Sequence, residues 1–143
     1  FGDVHIKNNI VTGSLYVGIW TYPSTNVAEM DYDIYNNDAT ALVHWGSSGS
    51  LGSIAAVRST TNMETNGKQA DPLTNAFPSP TLQANSPAMG AGANLASLGQ
   101  MALDSDKTGA ARPTSGAWDV GAYESTASST RPAPPTNLTA VVH

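Results

Sequence analysis

Apolar and polar positions alternate along the first half of the chain, and the alternation repeats. Ile6-Lys7-Asn8-Asn9 matches Ile34-Tyr35-Asn36-Asn37 at an offset of 28. The same offset sets Val4 on Tyr32, Leu15 on Val43 and Val17 on Trp45. Side chains along a strand point alternately to opposite faces, so these positions share one inward side. A fixed period with apolar inward positions predicts stacked coils, because one coil cannot bury its own apolar face and a neighbour about 4.8 Å away can. Paired Asn residues suit the corners, since Asn tolerates left-handed backbone angles and stacked Asn side chains can bond along the axis. Between Gly46 and Gly67 the pattern changes. Ser53 to Thr60 reads as a short helix with Ser53 as its N-cap. A strand then leads into Ala70-Asp71-Pro72-Leu73, and Thr81 to Asn85 leads into the last segment.

That last segment carries the most specific motifs. It contains Ser86-Pro87-Ala88-Met89-Gly90-Ala91-Gly92, Asp104-Ser105-Asp106-Lys107-Thr108-Gly109, Arg112-Pro113 and Trp118-Asp119-Val120-Gly121-Ala122-Tyr123-Glu124. It resembles the closing part of bacterial secreted right-handed parallel β-helix proteins of the pectate-lyase-like superfamily. Their usual pattern is S-P-A-[I/M]-x-A-G, D-x-D-G-x-x-R-P and D-[I/V]-G-A-Y-E. Here Gly90 stands where that pattern has Asp, and the glycine of the D-x-D-G loop is displaced to Gly109. Ala70 to Leu73 matches the common A-D-P-L-F feature with Thr74 in place of Phe, and a helical insertion commonly precedes it.

The resemblance spans roughly residues 1–124. It implies an all-β fold: the C-terminal coils of a right-handed parallel β-helix, with a short helical insertion and a closing cap. Residues 125–135 read as a Ser/Thr/Pro-rich linker, and 136–143 resemble the first strand of a fibronectin type III domain. The resemblance further implies a bacterial protein that is secreted or on the cell surface. In that reading the chain is the C-terminal portion of a polysaccharide lyase or glycoside hydrolase, with most of the active site elsewhere and no catalytic residue assigned. The same ending occurs in adhesins, so two alternatives stay open. One is a non-catalytic carbohydrate-binding or adhesin module. The other is a self-assembling surface or fibre subunit, with upstream coils or another copy filling the open N-terminal edge. Phe1 opens directly into a strand-like pattern, so the chain reads as a processed or excised piece.

Composition narrows the partners. Charged residues are 12% and the net charge is −5 with no basic cluster, which argues against nucleic acid. There is no cysteine for disulfides or thiolate metal sites. No apolar run reaches the ~20 residues of a membrane helix, so no membrane insertion is expected. The expected partner is a polysaccharide.

The offset of 28 places Asp3 on Asp31, His5 on Asp33 and Lys7 on Tyr35 on the outer face, with Tyr16 beside His44. By resemblance, β-helix lyases carry calcium-binding carboxylates and a basic proton acceptor on such a face, to neutralise a uronate carboxylate and take the neighbouring proton. Asp31 and Asp33, two residues apart on a strand, could share a calcium ion. The plain alternative is a solvated polar surface. Carbohydrate contact falls on Asp31, Asp33, Tyr35, His5 and Lys7, with Trp20 and Tyr22 as stacking rings. Trp45, Trp118 and Tyr123 are expected inside, and Arg58 on the surface. Asp104 and Asp106 superficially resemble a calcium loop but lack the later oxygen ligands of an EF-hand. The expected arrangement is a structural clamp of Arg112 with Asp104, Asp106 and Asp119, and a bound calcium is the alternative. Asn137-Leu138-Thr139 fits a glycosylation sequon.

Overall fold

The structure is a computed structural model that describes residues 3–22, 26–36 and 40–125. The expected linker from residue 126 onward, the 136–143 strand and the sequon at Asn137 lie outside the described residues. The fold is mainly β. Its strands are β1 (Val4–Lys7), β2 (Ile10–Thr12), β3 (Val17–Thr21), β4 (Val27–Asp31), β5 (Ile34–Asn36), β6 (Ala41–Trp45), β7 (Ser50–Leu51) and β8 (Lys68–Gln69), with one helix, α1 (Ile54–Thr61), between β7 and β8.

Each of the first three strands pairs in parallel with the strand three places later: β1 with β4, β2 with β5, β3 with β6. The result is three small sheets with orders β1-β4, β2-β5-β8 and β3-β6-β7. β8 continues the parallel pairing on β5, whereas β7 folds back antiparallel on β6. The repeat is 24 residues, not 28. Ile6 faces Met30, Ile10 faces Ile34 and Trp20 faces His44. The cause is visible at the corners: Asn8 (φ 60°) and Tyr32 (φ 65°) take the same left-handed turn, 24 residues apart. The matching Ile-x-Asn-Asn strings therefore occupy different places in the repeat, and Ile6 and Ile34 are not neighbours across a ladder.

The left-handed corner resets the alternation between successive strands, which changes which side chains of β5 face in. The main core gathers Met30, Tyr35, Leu42, Val43, Leu51 and Val57, with Ile6, Val11, Ile19 and Trp45 packed against it. Tyr35 is fully buried, so Ile34, its neighbour in the strand, faces the other side of the β2-β5 sheet. There it meets Ala88 and Val120, with Ile10, Leu82 and Ala91 around them. The closing segment thus packs on the outer face of β2 and β5. Gly121 N–H donates to Asn8 O (2.8 Å), and the Asn8 side chain exchanges two hydrogen bonds with the backbone of Ala93 (2.9 and 2.8 Å). Gly121 (φ 107°) lies close enough to Ile10 that any side chain there would press into it. Leu15, expected to point inward, is 92% exposed.

The helix forms where Ser53 predicts it. Ser53 Oγ accepts from Ala56 N–H (3.2 Å), Val57 is buried in the core, and Asn62 ends the helix at φ 57°. Ser53→Ala should lower stability by about 1 kcal/mol, the usual cost of a lost cap, seen as a drop of a few degrees in Tm. An unchanged Tm would mean that tertiary packing alone holds α1.

Candidate functional site

The outward face of β1-β4 holds a charged row. His5 stands opposite Glu29 and Lys7 opposite Asp31. Lys7 Nζ pairs with Glu29 Oε1 at 2.6 Å and His5 Nδ1 lies 3.2 Å from Glu29 Oε2. Glu29 is held below its ordinary value, chiefly by the bond from Lys7 against a smaller opposing effect of burial. This replaces the expected stacks of Asp3 on Asp31, His5 on Asp33 and Lys7 on Tyr35.

Asp31 and Asp33 do not share a face. The strand ends at Asp31, and left-handed Tyr32 turns the chain before Asp33. Asp31 binds backbone and side-chain groups: Tyr32 N–H (2.9 Å), Asn66 N–H (2.7 Å) and Asn66 Nδ2 (2.8 Å). Asp33 is fully buried, and its Oδ1 accepts from Asn9 N–H (2.7 Å) and Asn9 Nδ2 (2.9 Å). Tyr35, proposed from sequence as an outer sugar contact, is an interior residue whose hydroxyl donates to Glu64 Oε1 at 2.6 Å. Among the described residues no three His, Asp or Glu side chains are grouped to hold a metal ion.

No sequence signal marks the buried carboxyl pair Asp33 and Glu64. Glu64 is fully buried, on a left-handed residue (φ 57°) whose backbone N–H donates to Met30 O (2.7 Å). Its carboxyl fills the space where Gly67 lacks a side chain, and a Cβ there would collide with it. Arg58, expected to be a plain surface residue, ties this loop down by donating to Glu64 O (2.7 Å) and Gly67 O (2.5 Å). Burial pushes Glu64 up to about 8, and the nearby Asp33 charge adds to the rise. Burial likewise raises Asp33, against the hydrogen bonds from Asn9. Asp33 Oδ2 accepts no hydrogen bond among the described residues.

The outward face of β3-β6 carries aromatic rings. Trp20 stacks on His44, centroids 4.1 Å apart, and Tyr16 lies 6.5 Å from Trp20 with its ring nearly parallel. Register explains the row, because Trp20 and His44 are direct ladder partners. Tyr16, Trp20 and the adjoining Tyr22 are 64%, 59% and 82% exposed. Trp45, on the opposite side of β6, packs against the core.

In the closing segment the clamp exists with other partners. Arg112 Nη1 donates to Glu124 Oε2 (2.7 Å), Nη2 donates to Gly121 O (2.8 Å), and the guanidinium lies 5.1 Å from the centre of the Trp118 ring. None of Asp104, Asp106 or Asp119 pairs with it through a carboxylate. Asp104 meets Arg112 through the backbone, its carbonyl accepting from Arg112 N–H (2.9 Å). Asp106 organises its own turn. It accepts from Thr108 N–H and Oγ1 (2.7 Å each), Ala110 N–H (3.0 Å) and Glu124 N–H (3.0 Å). Burial alone would raise Asp106, but these bonds, the Thr108 hydroxyl first, outweigh it and hold the group at about 2. Asp119 accepts from Gly90 N–H and Ser125 N–H, both at 2.6 Å. Trp118 is 2% and Tyr123 8% exposed. The aspartates and the arginine hold the segment against β2 and β5.

Among the described residues no helix is long and apolar enough to cross a membrane. Compared with family models, curated proteins and solved structures, the chain finds no match in any of the three.

Proposed function

We propose that this chain is the C-terminal part of a bacterial, extracellular polysaccharide-active protein built as a parallel β-helix, and that its own role is structural and glycan-contacting. Two features support the architecture: three successive strand pairs are parallel, and their partners lie 24 residues apart, Val4 and Val27 excepted. The exposed row Tyr16, Trp20 and Tyr22 on a sparsely charged surface carries the glycan reading. Although Trp20 stacks on His44, the three side chains leave aromatic surface open to solvent, which can take the C–H face of a pyranose flanked by hydroxyls. The buried Asp33–Glu64 pair has no route to a glycan, so catalysis in this reading rests on parts of the protein outside these strands.

Tryptophan emission reports the contact. Titration with soluble neutral and acidic polysaccharides should shift the Trp20 signal saturably. Trp20→Ala, at an exposed position, should weaken binding roughly tenfold, or about 1.4 kcal/mol, with Tm unchanged. Production of unsaturated sugars, followed by absorbance, separates a lyase from a binder. If no polysaccharide alters emission and Trp20→Ala changes nothing, glycan contact at this face is wrong.

A second reading is favoured by the sheet edges. β1, β2 and β3 are each the outermost strand of their sheet on the same side. Such a three-part edge recruits further strands. Upstream coils or another copy of the chain would fit it, and concentration-dependent oligomers in solution would support the second of these.

A further inference from the structure

On the far side of β2 from the core, the closing segment and the 74–80 loop flank an open cavity of about 790 Å³. That lies within the usual range for small-molecule sites, which are mostly apolar with a few convergent polar groups. Its apolar wall comes from Ile10, Phe77, Pro80, Leu95, Leu103 and Trp118. Phe77 is 88% exposed, an aromatic ring facing open water beside an apolar hollow.

The polar part of the wall is one-sided in charge. Lys7 and Arg112 line the cavity, and none of the described Asp and Glu residues does. The charged residues that line it are therefore both cations. Each cation has a carboxylate neighbour, Glu29 for Lys7 and Glu124 for Arg112, yet neither is used up. An ammonium has three N–H donors and a guanidinium five. Lys7 Nζ makes one such contact, and Arg112 directs two N–H groups to Glu124 and Gly121. Thr12 and Thr74 also line the cavity.

We propose that this cavity is a binding site for a small molecule with a flat apolar body and an anionic head group, such as an aryl carboxylate or sulfonate. The apolar body lies between Ile10, Leu95, Leu103 and the Phe77 ring. The head group takes the remaining N–H donors of Lys7 or Arg112. This site is separate from the glycan-contacting row on β3-β6, shares no residue with it and does not depend on that reading.

Two probes test it. 8-Anilinonaphthalene-1-sulfonate should bind saturably with one equivalent and gain emission. Displacement by 1-naphthoate should be about tenfold better than displacement by the uncharged 1-naphthalenemethanol. Phe77→Ala, at an exposed position, should weaken both competitors. Asn75→Asp adds a negative charge to the wall with almost no change of shape; it should weaken the sulfonate and the naphthoate several-fold and leave the alcohol unchanged. Trp20→Ala should have no effect. Non-saturating emission, or saturable binding that neither Phe77→Ala nor Asn75→Asp alters, overturns the site. Equal displacement by acid and alcohol overturns the anionic head group.

Discussion

Stability is expected to decline between about pH 5 and pH 9, and Glu64→Gln is expected to remove most of that decline. Glu64 titrates near 8 in the fold against an ordinary value of 4.5, because burial disfavours its charged form and Asp33 adds repulsion. The folded state therefore holds a proton that the unfolded chain releases. Stability from this group is fully present below about 4.5 and is lost as pH rises through about 8. Asp33, also raised by burial, acts in the same direction. The combined loss is on the order of a few kcal/mol. Gln keeps an oxygen for the Tyr35 hydroxyl, fits the space over Gly67 and cannot ionise. Urea midpoints at pH 5, 7 and 9 should fall steadily for the wild type and stay much flatter for Glu64→Gln, with the variant the more stable at pH 9. Groups such as Glu29, Asp106 and Glu124 are present in both proteins and cancel in the comparison. Parallel pH profiles would mean that Glu64 is ionised in the fold and that some other group stabilises its charge.

The same pair shows where sequence reading reached its limit. Alternation of apolar residues gave the strands, and Ser53 gave the helix start, because both signals are local: pleat and cap act over a few residues. The repeat length was misread because its physical marker is a backbone angle. Asn8 and Tyr32 make the same left-handed corner, but only Asn advertises that angle by its chemistry. The offset of 28 laid Ile34 and Tyr35 on Ile6 and Lys7 of β1, whereas they pair with Ile10 and Val11 of β2 beyond the left-handed corner, and this turned a core tyrosine into a sugar contact. Trp20 survived the misreading as an exposed ring. Its partner did not, since the offset of 28 set Tyr16 rather than Trp20 beside His44. Glu64 had no local signature, because Tyr35, Asp33 and Gly67 bury it across the chain. The one hint was a glycine three residues after a lone glutamate. The Arg112 clamp was legible as an arginine needing a carboxylate. Its partner was not, because the turn at Gly121 brings Glu124 closer than the aspartates nearer in sequence.

Arg112→Ala should be the most damaging single change in the closing segment, and more damaging at pH 8 than at pH 4.5. The pair Arg112–Glu124 is well shielded, its side chains only 9% and 13% exposed. An exposed ion pair would be worth about 0–1 kcal/mol, but removing one partner of a shielded pair costs about 3–5 kcal/mol, because the other charge is left uncompensated. Alanine also removes the donor to Gly121 O, at the turn that sets the closing segment against Asn8 and Ile10, and strips the cation from the Trp118 face. Glu124 is already raised by burial and by Asp119, with Arg112 pulling it down. Without Arg112 it rises further, so the variant folds with this carboxyl protonated and loses stability as pH climbs through that raised value. The difference in unfolding free energy from wild type should therefore grow from pH 4.5 to pH 8. Arg112→Lys should recover part of it, since an ammonium can restore the charge but cannot reach Glu124 and Gly121 O in the planar fork that arginine provides. A variant with wild-type Tm at pH 8 would mean that Ala88, Val120 and the Asp106 and Asp119 hydrogen bonds hold the closing segment without the arginine.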